Sequence, residues 1–97
     1  MARMHNPPHP GEVLREYLGE LTVSDVAAHI GVSRATLQRI LSGAASVSAD
    51  MAYRLGAALG TSPDLWAGIQ LEYDLYHAGK MKRPKIGRLL PALTLTP

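Results

Sequence analysis

With 97 residues, 46% of them hydrophobic, the chain has material for one domain around a single modest core. It has no cysteine, which excludes a disulfide framework, a thiolate metal site and a cysteine nucleophile. The formal charge of +2 is unevenly spread: through residue 79 five arginines face eight acids, and from Lys80 onward five basic residues stand with no acid. Any affinity for a polyanion must therefore come from a local basic face and the tail, not from overall charge. Phenylalanine is absent, so Leu, Ile, Val and Ala fill the core, which suits a small helical bundle. No run approaches the ~18 apolar residues of a membrane span. The opening MARMHNPPHP lacks the apolar centre of a secretory signal. A cytoplasmic protein without a membrane partner is expected.

Residues 1–9 read as a flexible arm, because Pro7, Pro8 and Pro10 crowd a short polar stretch. His5 and His9 lack a third ligand and are expected in solvent, not on a metal. His29 and His77 also lack an evident partner. A first helix begins near Pro10, a favoured first-turn residue, with Glu12 complementing the helix dipole. Val13, Leu14, Tyr17, Leu18 and Leu21 form its apolar stripe, and Glu16 and Glu20 face away. Paired glutamates can signal acid–base chemistry, but nothing marks a cleft around these two, and a solvated face is expected.

The stretch 22–43, TVSDVAAHIGVSRATLQRILSG, places two short helical patterns across a three-residue joint. Thr22 caps the first, with Asp25 placed to reach back as a capping box. Val26, Ala27 and Ile30 follow at helical spacing. Gly31 stops that helix where a left-handed backbone is wanted. Ser33 caps the second, Leu37, Ile40 and Leu41 form its buried side, and Gly43 stops it. Ala27 is small where the two helices would cross closely, and Val32, Leu37 and Ile40 fill the wedge between them. The pattern is that of a helix-turn-helix. Arg34, Ala35, Gln38 and Arg39 are left outward, and these residue types suit a major groove: Arg for guanine, Gln for adenine, an Ala methyl against thymine. The same spacing also fits an αα-hairpin with a solvated polar face.

Ser48 caps a fourth helix, in which Ala52, Leu55 and Leu59 point inward with Met51 and Ala58 at the margins, and Gly60 ends it. Ser62, Pro63 and Asp64 open a fifth helix as cap, first and second residues. It runs to about Ala78, with Gly79 as its stop. This helix carries two apolar stripes, one of Leu65, Trp66, Ile69, Tyr73 and Tyr76 and one of Leu71, Leu75 and Ala78. A terminal helix buries only one in its own core, so the second is assigned to a two-fold homodimer. A tail folded back over that stripe is the alternative. The basic residues of 80–97 read as a strap for phosphates or an acidic partner surface, or as a solubilising linker. Residues 92–96 alternate apolar and β-favouring types, and fit a short C-terminal edge strand or no fixed structure.

The helix-turn-helix resembles that of the Cro/phage-repressor (XRE) class. Two further motifs narrow the resemblance to HigA/VapI-like antitoxins of bacterial toxin–antitoxin pairs. One is His9-Pro10-Gly11-Glu12; the other is Gly60-Thr61-Ser62-Pro63-Asp64-Leu65-Trp66, continued by Ile69-Gln70 and Tyr73-Asp74-Leu75. The correspondence runs from about residue 9 to 76. It implies an all-α, five-helix lambda-repressor-like domain over 10–79, a dimer, and binding of double-stranded operator DNA to repress the chain's own operon. It also implies a toxin partner, a RelE/HigB-like ribosome-dependent endoribonuclease. Ser33, Arg34, Ala35, Thr36, Gln38 and Arg39 match positions that meet DNA in the class. Trp66, Ile69, Tyr73 and Asp74 match a helix that supports core and dimer.

Two departures stand out. The loop after the recognition helix is Ala44-Ala45-Ser46 where the family often has Lys or Arg, so phosphate anchoring there should be weaker. Gly68 replaces a common Asn, at a mid-helix cost of about 1 kcal/mol relative to Ala, and a close helix–helix approach is expected at that point. Alternatives to an antitoxin are a stand-alone dimeric repressor and a protein-interaction adaptor that kept the fold without DNA binding. No nucleophile–base pair, phosphate-cradling glycine loop or metal spacing is present, so neither an enzyme nor a cofactor is expected.

Overall fold

A computed structural model describes residues 5–91. Five helices follow in order: α1 Pro10–Leu18, α2 Val23–Ile30, α3 Arg34–Leu41, α4 Ala49–Leu59 and α5 Pro63–Gly79. The all-α, five-helix reading holds, and the stretch 92–96 lies outside the described residues. Each helix opens on an extended residue whose side chain accepts a backbone N–H: His9, Thr22, Ser33, Ser48 and Ser62. Such caps satisfy one of the amides a helix start leaves unpaired.

Four of these caps are hydroxyls legible from sequence. The fifth corrects it. His9 is buried, not solvated: its Nδ1 accepts from the Gly11 N–H at 2.9 Å, and the Glu12 carboxylate accepts from the His9 N–H at 3.2 Å. A neutral imidazole nitrogen accepts a hydrogen bond as a hydroxyl oxygen does, so histidine closes a capping box here.

The core is made of one face from each helix: Leu14 and Leu18, Ala27 and Ile30, Leu37 and Ile40, Ala52 and Leu55, with Trp66 wholly enclosed. Within α1 only two positions of the expected stripe turn fully inward. Val13 packs partly against the core, while Tyr17 and Leu21 are 47% and 59% exposed. The helix ends at Leu18 and the chain turns at Gly19 with φ 57°, which takes Leu21 off the stripe. Tyr17 instead lies edge-on to the Trp66 ring at 5.3 Å. In α4, Met51 belongs to the core and Leu59 only flanks it.

Two glycines also correct the sequence reading. Among the described residues a Cβ on Gly68 would meet nothing within 4 Å, so no other helix of the chain approaches it closely. Gly79 is the last residue of α5 and Lys80 is the cap. The close approach falls at Gly11, where a Cβ would lie 2.1 Å from the Ile40 carbonyl oxygen. There the start of α1 rests backbone to backbone on the end of α3.

Candidate nucleic-acid interface

The helix-turn-helix is α2, the joint 31–33 and α3. Gly31 adopts the left-handed region at φ 77°, and its N–H donates back to the end of α2. Ala27 is 2% exposed and belongs to the core, where its small side chain suits a close crossing of α2 and α3. Arg54 of α4 holds the joint from behind. Its Nη1 donates to the Ile30 carbonyl at 2.6 Å, and its Nε pairs with Asp50 at 2.7 Å. Asp50 lies four residues before Arg54, a spacing that signals this pair in the sequence, but nothing there foretells the bond to Ile30. At the other end of α3, Arg15 Nε donates to the Leu41 carbonyl at 3.3 Å, so α1 also braces the recognition helix.

Leu37, Ile40 and Leu41 are buried, and the rest of α3 faces out. Arg34, Ala35 and Arg39 are exposed and Gln38 half-exposed. Arg34 and Gln38, Ala35 and Gln38, and Ala35 and Arg39 stand three or four residues apart, so the four form one contiguous patch. Ser33 and Thr36 sit at its N-terminal edge. Thr36 N–H donates to Ser33 Oγ at 3.0 Å, and that hydroxyl donates to Thr36 Oγ1 at 2.8 Å. Ser33 is thereby committed to the cap, while the Thr36 hydroxyl proton stays free for an outside acceptor. Arg39 leans toward the following loop, its Nη2 3.4 Å from the Ala44 carbonyl. The patch offers two guanidinium forks, an amide and a methyl on a rigid, capped helix. That chemistry matches base edges and phosphates.

On α5, Leu71 and Leu75 are 56% and 42% exposed along one face, and Ala78 is half-buried one turn further on. The opposite face holds Trp66 and a polar group that an apolar-stripe reading does not find. Gln70 is buried; its Oε1 accepts from Val47 N–H at 2.8 Å and its Nε2 donates to Asp74 at 2.9 Å. It secures the loop between α3 and α4 to α5.

These features define a helix-turn-helix protein, and the helix-turn-helix family model (HTH_3) matches residues 13–66. The chain belongs to that family. Within it the resemblance is to HigA/VapI-like antitoxins. Virulence-associated protein A' of Dichelobacter nodosus is 37% identical over 87% of this chain and 76% of its own length. Antitoxin HigA-1 of Vibrio cholerae is 34% identical over 72% of this chain and 69% of its own. The solved structure of Pseudomonas aeruginosa antitoxin HigA with the higBA promoter superposes with a TM-score of 0.77 at 40% identity. That match covers 87% of this chain and 99% of the HigA chain. No helix among the described residues is long and apolar enough to cross a membrane.

Proposed function

We propose that this chain is the antitoxin of a type II toxin–antitoxin pair, and that it represses its own operon by binding operator DNA as a two-fold dimer. The observation that carries the DNA-binding half is the outward face of α3. Arg34, Ala35, Gln38 and Arg39 form one open patch on a helix that is capped at its start and braced by Arg15 and Arg54. The similarity to antitoxin HigA, solved with the higBA promoter, supports the same reading. In the dimer the two copies of α3 enter successive major grooves, with half-sites about 34 Å apart. Leu71, Leu75 and Ala78 of α5 supply the self-complementary surface.

The toxin partner is a RelE/HigB-like endoribonuclease, and similarity to HigA-type antitoxins supports it. The test is a growth assay in which the adjacent small gene is induced alone and then together with this chain. Arrest alone and rescue together, followed by co-purification, is the expected result. Arrest without rescue, or no arrest, would leave a stand-alone dimeric repressor, for which the α3 patch serves equally well.

A further inference from the structure

Every residue of the segment 80–91 is exposed, and it carries Lys80, Lys82, Arg83, Lys85 and Arg88 with no acid. Two of these cations are tied to the end of α5. Lys80 Nζ lies 4.4 Å from the centroid of the Tyr76 ring, and Arg83 Nη2 donates to the Ala78 carbonyl, which also accepts from the Met81 N–H. These contacts fix where the segment leaves the domain, one turn beyond a cleft that α5 shares with the end of α3. One turn earlier, His77 packs on Tyr73 at 4.2 Å, and Tyr73 meets His9 edge-on at 4.9 Å. The cleft these rings line is closed on its far side by Leu41, Ser42 and Gly43.

Lys82, Lys85 and Arg88 have no hydrogen-bond or ion-pair partner among the described residues. The loop Ala44-Ala45-Ser46 beyond α3 brings no cation to that edge, and the body through residue 79 holds more acids than bases. We infer that residues 80–88 are a second DNA contact, a sequence-independent strap whose Lys82, Lys85 and Arg88 bind the phosphate backbone running past the end of α3. The inference rests on the operator-binding reading above and adds to it a surface outside the helix-turn-helix. From Lys82 to Arg88 the extended chain spans up to ~20 Å. A duplex carries one phosphate charge per ~1.7 Å of its axis, so the three cations reach separate phosphates.

The test uses the full chain and a K82Q/K85Q/R88Q variant, with the arginine–lysine exchange K82R/K85R/R88K as a charge-preserving control. Each is titrated with a duplex from upstream of its own gene and with a shuffled duplex of the same length, between 50 and 200 mM salt. Each lost phosphate contact lowers the slope of log affinity against log salt by ~0.9, so the variant's slope should fall by about 2.7 per bound protomer. Over that salt range the wild type should then lose about 40-fold more affinity per protomer than the variant. The loss should be the same for both duplexes, and the charge-preserving control should keep the wild-type slope. An unchanged slope overturns the strap while leaving operator binding standing. An unchanged slope with lost binding to anionic lipid vesicles would assign the segment to a membrane surface instead, and also overturns it. A wild type that binds neither duplex overturns both readings at once.

Discussion

Gln70 shows how a single buried polar group can hold an interface that hydrophobic patterning passes over. Its carbonyl is the partner of the buried Val47 N–H, and its amide is anchored by Asp74. Gln70→Leu keeps the volume and strands that N–H, which costs about 1–3 kcal/mol. For a domain of this size each kcal/mol lowers the melting temperature by roughly 4–8 °C, readable by thermal denaturation. Asp74→Asn preserves the accepting oxygen and should stay within about 0.5 kcal/mol of wild type. Gly11 makes the opposite point. Alanine is the better helix former by about 1 kcal/mol, yet its Cβ would stand 2.1 Å from a carbonyl oxygen that cannot rotate away. The clash wins, and Gly11→Ala should destabilise by about 1–3 kcal/mol in the same melts. Neither role is visible from spacing. A stripe count looks for apolar residues and skips Gln70, and the contact at Gly11 joins residues 29 positions apart. Only the motif His9-Pro10-Gly11-Glu12 marks that place in the sequence.

At the level of elements, the helix starts were legible because each depends on a side chain within three residues of the amide it caps. Thr22, Ser33, Ser48 and Ser62 all cap as their type and position suggest. The turn was legible for the same reason, since Gly31 needs only its own backbone to be left-handed. What holds the turn in place was not. Arg54 reaches Ile30 from 24 residues away, and Arg15 reaches Leu41 from 26. The role of α3 can be separated from these braces by substitution on its outward face. Arg34→Ala and Arg39→Ala leave the core untouched and should keep the wild-type melting temperature. Loss of a bidentate base contact should weaken operator binding by about 1–3 kcal/mol while sparing a shuffled duplex. The two mutants divide the work if Arg39 serves phosphate, because its loss then weakens both duplexes alike. Fluorescence anisotropy on the two duplexes measures each case, and wild-type affinity in both mutants would refute the assignment of α3.

For the whole molecule, α5 has one face in the core and an apolar face that the described residues leave open. Trp66 and Gln70 commit one side of it to the domain, and Leu71 and Leu75 remain 56% and 42% exposed on another. Gly68 is exposed, and no described residue from elsewhere in the chain lies within 4 Å of an added Cβ. In the proposed dimer a second copy related by a two-fold axis covers this surface with itself, and the same axis sets two copies of α3 against a palindromic operator. The double variant L71E/L75E places like charges on both sides of that contact and leaves Trp66 and Gln70 in place. It should stay folded by circular dichroism, sediment as a monomer, and melt at a temperature independent of protein concentration. The wild type should melt higher as concentration rises, because association favours the folded state by mass action. Joining two modules on one duplex strengthens binding by about 10²–10⁴-fold over a single module. The monomeric variant should lose about that factor on a full operator and nothing on an isolated half-site. Equal loss on both duplexes would mean that α5 acts on the fold of the domain, and that the dimer forms through another surface.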